Sequence, residues 1–234
     1  MRRWPTMVAL ARAKRSDLIR AWAGLGYNRR AVYLHRLAQE VTLSPAAQEL
    51  FALSCESAKG ISRRVQELQR LPGIGPYTAT ALLAFAWNLP APCVDTNVRR
   101  VLAYAIYRRP SMMQMSMRQI MALAVRVIPH GRGRDWNYAL MDYGALVLTA
   151  RTISKWPRPG GGHRRSVAKF EGSSRFWRGR IVAVLRDEPR GVSVTALRRK
   201  LLQFGEPPKS HAPLLSALMR DGVIARSGGR YALA

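Results

Sequence analysis

The sequence predicts a mainly α-helical protein in two folded parts joined by a basic linker. Three observations carry that prediction. Apolar residues recur at helical spacing through residues 1–150, where alternating strand patterns and Asn-Gly turns are missing. Residues 174–234 read as three short helices followed by a hairpin. Between them, 151–173 is Pro/Gly-rich and basic, and its stretch Lys155-Trp156-Pro157-Arg158-Pro159-Gly160-Gly161-Gly162-His163-Arg164-Arg165 contains no acid.

The elements follow in order. Helix-period apolar positions run through Leu18–Trp22, Val32–Val41, Ala46–Leu53 and Ile61–Leu68. A helix ends near Arg70. The segment Leu71-Pro72-Gly73-Ile74-Gly75-Pro76-Tyr77-Thr78-Ala79 then makes a tight two-glycine turn, and Pro76 suits the start of a new helix. That helix shows Ala79, Leu82, Leu83 and Ala86 on one face. Asp95 reads as an N-cap before Val98, Val101, Leu102 and Ala105, which share a face. Pro110–Met121 carries Met112, Met113, Met115, Met117 and Met121 and reads as a Met-rich helix filling an irregular core. After the linker, Trp177–Asp187 suits a helix. Val192–Leu202 suits a second, with Ser193 as N-cap, and His211–Asp221 a third, ended by Gly222. Val223–Leu233 reads as a hairpin turning at Gly228-Gly229. Three helices and a terminal hairpin resemble a winged helix, a module suited equally to DNA or to intramolecular docking.

Charge narrows the partners. The 234 residues carry 39 Lys+Arg against 13 Asp+Glu, a formal net charge of +26. Six of the basic residues are Lys and the rest Arg, whose planar fork grips phosphate in bidentate fashion. Nucleic acid is the expected partner, ahead of an anionic membrane surface. The 48% of apolar residues excludes a wholly disordered basic tail. No apolar run reaches the roughly 18 residues of a membrane span, and Met1-Arg2-Arg3-Trp4-Pro5 lacks a secretory signal's apolar core, so a soluble intracellular protein is expected. Cys55 and Cys93 form no CxxC and read as buried small hydrophobes. His35, His130, His163 and His211 are scattered outside any zinc pattern, so no catalytic metal is expected.

Two segments carry chemistry. Helix, Gly-x-Gly turn and helix can aim free backbone N–H groups at a phosphate, although an ordinary helix connection has the same spacing. Eighteen residues after Tyr77 comes Val94-Asp95-Thr96-Asn97-Val98-Arg99-Arg100-Val101, and Asp95 is the only acid between Glu67 and Asp135. A lone carboxylate there opposes DNA electrostatically. It makes sense if it stabilises a cation formed during reaction, beside its plain role as N-cap.

LPGIGPYTATALLAFAW followed by VDTNVRRVLA resembles the helix-hairpin-helix (HhH-GPD) superfamily of base-excision DNA glycosylases, most closely the A/G-specific adenine glycosylases of the MutY type. Trp22-Ala23-Gly24-Leu25-Gly26-Tyr27 and Asp135-Trp136-Asn137-Tyr138-Ala139-Leu140-Met141-Asp142-Tyr143-Gly144-Ala145 resemble two further family segments, so the likeness covers roughly residues 4–150. The resemblance implies a monofunctional glycosylase domain over 1–150, acting as a monomer on double-stranded DNA in the cytoplasm, at the nucleoid. Asp95 matches the catalytic aspartate that stabilises an oxocarbenium-like sugar and helps direct water to C1′. Tyr77 stands where bifunctional relatives carry a Schiff-base lysine, and no Lys occurs between Lys59 and Lys155. Asn97 matches an active-site asparagine of the adenine enzymes, with helix capping as its plain alternative. Tyr27 matches a tyrosine that wedges into the duplex during base flipping, with core packing as its plain alternative. Gly73, Ile74, Gly75, Tyr77 and Thr78 form the phosphate-binding hairpin, and the carbonyls of Gln69, Leu71 and Ile74 match positions that hold a Na⁺ or K⁺ ion.

The sequence departs from the family in three places. Adenine glycosylases carry, upstream of the match to Arg3-Trp4-Pro5, a helix whose glutamate protonates the leaving adenine, and no residue here matches it; a start set too late is the expectation. Leu148 occupies the first place of a four-cysteine iron–sulfur loop, and two cysteines cannot hold that cluster. The tail resembles a winged helix where the family usually has a Nudix-like domain. Excision of adenine opposite 8-oxoguanine or guanine is the leading expectation. Removal of thymine or uracil opposite guanine, and a non-catalytic DNA-binding protein that keeps the fold, are the alternatives.

Overall fold

The computed structural model describes residues 3–52, 58–153 and 169–234. Cys55, His163 and most of the expected linker, residues 154–168, lie outside the described residues. The chain is mainly helical. Its helices are α1 (Met7–Ala11), α2 (Arg15–Ala21), α3 (Arg29–Leu43), α4 (Pro45–Ala52), α5 (Ala58–Leu68), α6 (Pro76–Phe85), α7 (Thr96–Arg100), α8 (Met117–Val125), α9 (Gly133–Asp142), α10 (Ala150–Ile153), α11 (Ser174–Arg186), α12 (Val194–Leu201) and α13 (Ala212–Arg220). Strands β1 (Val192–Ser193), β2 (Ile224–Ser227) and β3 (Arg230–Leu233) form one antiparallel sheet in the order β1-β3-β2. No helix of the described residues is long and apolar enough to cross a membrane.

The chain divides into two compact units, residues 1–48 with 165–234, and residues 49–164. The first unit joins both ends of the sequence. Ile19 of α2 and Val32 of α3 are fully buried in a core with Trp177, Ile181, Leu185, Leu197, Leu218 and Tyr231. The sequence places 174–234 in a module of its own; in the structure it shares this core with the N-terminal helices. Short helices such as α1 and α2 cannot cover Ile19 and Val32 by themselves, so the C-terminal helices supply the missing apolar surface.

Local signals explain the C-terminal elements. The Ser173 and Ser193 hydroxyls accept the N–H groups of Phe176 and Ala196, capping α11 and α12. Gly222, at φ +69°, follows the end of α13. Gly228 and Gly229, at φ +53° and +75°, turn the β2–β3 hairpin; two successive positive φ values are the two-residue turn that matches strand twist. One expectation is corrected here. Val192–Ser193 is not helical but pairs with Tyr231 and Arg230 as β1, because the Ser193 cap starts the helix only at Val194.

The second unit is packed around Val98, Leu102, Met112, Ile120 and Leu140. Pro110–Met121 is not one helix. A 3₁₀ turn over Pro110–Gln114 breaks at Met115, and a Ser116–Gln119 capping box starts α8. Met112 still fills the core as expected. Both α7 and α9 run on into wide π turns, Val101–Ile106 and Tyr143–Val147, closed by Tyr107 N–H to Leu102 O (2.9 Å) and Leu148 N–H to Tyr143 O (2.8 Å). Residues Arg151–Ile153, placed in the linker by the sequence, complete α10.

Candidate active site

Asp95, Asn97 and Tyr77 all belong to the second unit. Asp95 is the residue before α7, and its Oδ1 accepts the Val98 N–H at 2.8 Å. Its Oδ2 accepts the Asn97 amide at 3.3 Å. The capping role therefore falls to Asp95, and Asn97 bridges instead. Asn97 Oδ1 accepts a guanidinium N–H of Arg100, which is buried. Arg100 also donates to Gly144 O (2.9 Å) and Leu148 O (3.1 Å). One buried cation thus fixes the Asn97 amide so that its NH₂ points at the carboxylate.

The second π turn makes this possible. A Cβ on Gly144 would lie 2.9 Å from both Asn97 Cβ and Asn97 O, so only glycine lets this turn touch the start of α7. Asn137, 1% exposed, holds the segment leading to Asp95: its Oδ1 accepts Cys93 N–H (2.8 Å) and its Nδ2 donates to Ala91 O (3.0 Å) and Gly133 O (2.7 Å). Leu148, at the place where the family resemblance puts a cluster cysteine, is buried and offers its carbonyl to Arg100.

Tyr77 sits in the first turn of α6, half-exposed. Burial pushes its hydroxyl above the ordinary tyrosine value, and Cys93 and the Asp95 charge add to the shift, so the side chain remains a phenol. Burial likewise pushes the Cys93 thiol up to about 12, which leaves it protonated and inert. Tyr77 and Cys93 both feel the Asp95 charge.

The hairpin between α5 and α6 turns at Gly73, φ +77°. Gly75 precedes α6 in extended geometry, and a Cβ there would meet nothing within 4 Å, so the backbone is open to close approach. Gly73 and Thr78 are exposed, whereas Ile74 is buried and can offer only main-chain atoms. Leu71 O accepts Ile74 N–H at 3.2 Å, while the Gln69 and Ile74 carbonyls take no backbone N–H among the described residues. Carbonyl oxygens with free lone pairs are the hard donors an alkali cation prefers.

Tyr27 belongs to the first unit. Gly24 and Gly26 have φ +81° and +66°, and Tyr27 itself has φ +46°, a conformation uncommon outside glycine. The residue is 56% exposed, so it is not a core residue. The loop is fixed from several sides. Trp22 Nε1–H donates to Gly26 O at 2.9 Å, Arg186 donates to Asn28 Oδ1 at 2.9 Å, and Asp221 binds both Arg29 and Arg178. The positive φ of Tyr27 is thus held in place by the surrounding contacts.

Arg100, Asn137 and Gly144 lie in segments the sequence marks out but carry no individual role there, and Gly133 lies outside those segments. Arg100 hides in a basic run that reads as solvated. The usable signal was an arginine flanked by Val98 and Val101 with Asn97 three residues before it, a polar pair one turn apart on a half-buried helix.

The sequence matches the HhH-GPD superfamily base excision DNA repair protein over residues 1–123. It is 34% identical over 245 residues to the adenine DNA glycosylase of Mycolicibacterium smegmatis, covering 99% of this chain and 78% of that protein. It is 33% identical over 249 residues to the adenine DNA glycosylase of Mycobacterium tuberculosis, covering all of this chain and 77% of that protein. The human adenine DNA glycosylase is 36% identical over 151 residues, 64% of this chain and 26% of the human protein. With the hairpin, the capped aspartate and these relatives in view, the chain belongs to the HhH-GPD superfamily of base excision DNA repair proteins, in the family of the adenine DNA glycosylases.

Proposed function

We propose that this chain is a monofunctional DNA glycosylase that hydrolyses the N-glycosidic bond of adenine mispaired with 8-oxoguanine or guanine. The observation that carries the reading is the Asp95–Asn97–Arg100 chain. It holds one carboxylate, among many cations, in a single orientation. As the C1′–N bond breaks, its electron pair leaves with the purine, and positive charge grows on the sugar. Asp95 stabilises that charge; water then bonds to C1′ and gives up one proton, and the departing purine takes up one proton from solvent. Tyr77 has no amine, so no Schiff base forms there and the strand stays uncut. Its phenol stays protonated, which supports a role in orienting the carboxylate or the water.

The hairpin N–H groups of Gly73, Gly75 and Tyr77 are suited to a backbone phosphate. The carbonyls of Gln69, Leu71 and Ile74 would hold a Na⁺ or K⁺ ion, which when bound supplies positive charge to that phosphate. Tyr27 is the wedge that enters the duplex and offsets the few kcal/mol of unstacking. The helix–strand–helix–helix–hairpin order of residues 174–234 supports a winged-helix-like module, and its contacts to Asn28 and Arg29 support a role in holding the wedge loop.

The test is single-turnover base release, read as alkali-labile sites. Duplexes would carry A opposite 8-oxoguanine, A opposite G, or T or U opposite G. Release from the adenine duplexes is expected. Release from T or U alone would reassign the substrate, and tight binding with no release from any duplex would leave a DNA-binding protein. Borohydride should trap no covalent complex, since no lysine stands at Tyr77.

A further inference from the structure

A cavity of about 660 Å³ opens in the first unit beside Tyr27. Tyr27, Arg30, Phe170, Arg175, Arg178 and Gly179 are in its wall. The size is that of a site for one small ligand or one nucleotide. Asp221, the acid among its lining residues, is already engaged by Arg29 and Arg178. Arg30 and Arg175 have no carboxylate partner among the described residues. Each lies over a ring instead, Arg30 at 5.2 Å from the Tyr27 centroid and Arg175 at 5.9 Å from that of Phe170.

Three further observations point to a ligand. The Nε–H groups of Arg29 and Arg178 are buried and meet no acceptor. Phe170 is 60% exposed, a large apolar ring left open at the cavity. Gly179 lies in the interior of α11, and a Cβ on it would meet nothing within 4 Å, so the space reaches the helix backbone. Arg175, Arg178 and Gly179 fall at i, i+3 and i+4 and line one face. Guanidinium forks beside an open ring are the chemistry that holds a phosphate and stacks a base.

We propose that this cavity is a second nucleotide subsite. It seats one nucleotide of the DNA flanking the point where Tyr27 enters the duplex, with its phosphate on Arg30 and Arg175 and its base against Phe170. The assignment rests on Tyr27 being the wedge.

The test uses the full chain and duplexes in which single phosphates around the mismatch, in either strand, are replaced by neutral methylphosphonates. At one position the neutral link should weaken wild-type binding about tenfold, as expected for a charge-assisted contact. Arg175→Ala should weaken binding by a similar factor, and the two losses should not multiply. Gly179→Met fills the cavity without removing a charge and should give the same loss with no fall in the thermal midpoint. Losses that multiply at every phosphate would overturn the proposal, as would wild-type binding by Gly179→Met. Binding of free dGMP at micromolar levels, abolished in Gly179→Met, would identify a small-molecule site and overturn the DNA assignment. Tyr27→Ala separates the two readings. Unchanged base release in Tyr27→Ala sinks the wedge alone; slowed release without Arg175–phosphate coupling sinks the subsite alone.

Discussion

Asp95 uses its two oxygens differently. Oδ1 caps α7 and Oδ2 meets Asn97, whose other end is held by Arg100. Asn97→Ala removes the bridge and leaves Arg100 with the Gly144 and Leu148 carbonyls. The variant should fold, lose about 1–3 kcal/mol by urea denaturation, and release base about 10- to 100-fold more slowly. An unchanged rate would show that Asp95 needs no such support. Cys93 gives a second prediction at this scale. Its folded value lies above the ordinary 9.0, so its contribution to stability is complete below about pH 9 and is lost as pH rises toward 12. In a Cys55→Ser background, iodoacetamide at pH 8 should label Cys93 only as fast as the protein unfolds. Rapid labelling of the folded chain would contradict the burial.

α9 and its π-turn continuation pack closely at the site because two of their residues lack a side chain. A Cβ on Gly133 would fall 2.0 Å from Leu89 O, and one on Gly144 2.9 Å from Asn97 O. Gly133→Ala must therefore move backbone and should cost about 3 kcal/mol or more. Gly144→Ala should cost about 1–3 kcal/mol and, by displacing Asn97, lower the base-release rate beyond what its stability loss explains. Chemical denaturation and single-turnover rates on the same preparations separate the two effects. These contacts were not legible in the sequence, where a glycine inside a helical pattern reads only as a weak helix former. The capped starts were legible, because Asp95, Ser193 and Pro76 each carry a local signal that needs no tertiary partner. The π turns were not, since an i→i+5 bond leaves no compositional mark. Nor was β1, whose two residues are strand only because β3 lies beside them.

At the scale of the whole chain, the charge of +26 and the shared core of the first unit set the behaviour. The sequence showed the charge directly but not the core, since Ile19 and Trp177 lie far apart along the chain and no local pattern links them. His211, buried beside α13, reports on that core. Burial and the nearby Arg198 hold it below the ordinary 6.5, so it is neutral when folded and charges on unfolding. Its contribution is present above about pH 6.5 and is lost as pH falls through the folded value. The thermal midpoint should drop between pH 7 and 5.5, and His211→Gln should flatten that slope; equal slopes would place the acid sensitivity elsewhere. DNA affinity should fall steeply with salt, because phosphate neutralisation dominates binding by so basic a chain. The central claim is that Asp95 supplies the charge that stabilises the sugar cation as the base departs. Asparagine caps a helix as well as aspartate does, so Asp95→Asn removes the charge and leaves the cap. The decisive measurement is the single-turnover rate of adenine release by Asp95→Asn and wild type, with thermal midpoints taken alongside. A loss of about 10²–10³-fold or more at an unchanged midpoint is the expected result. Equal rates in the two proteins would contradict the account.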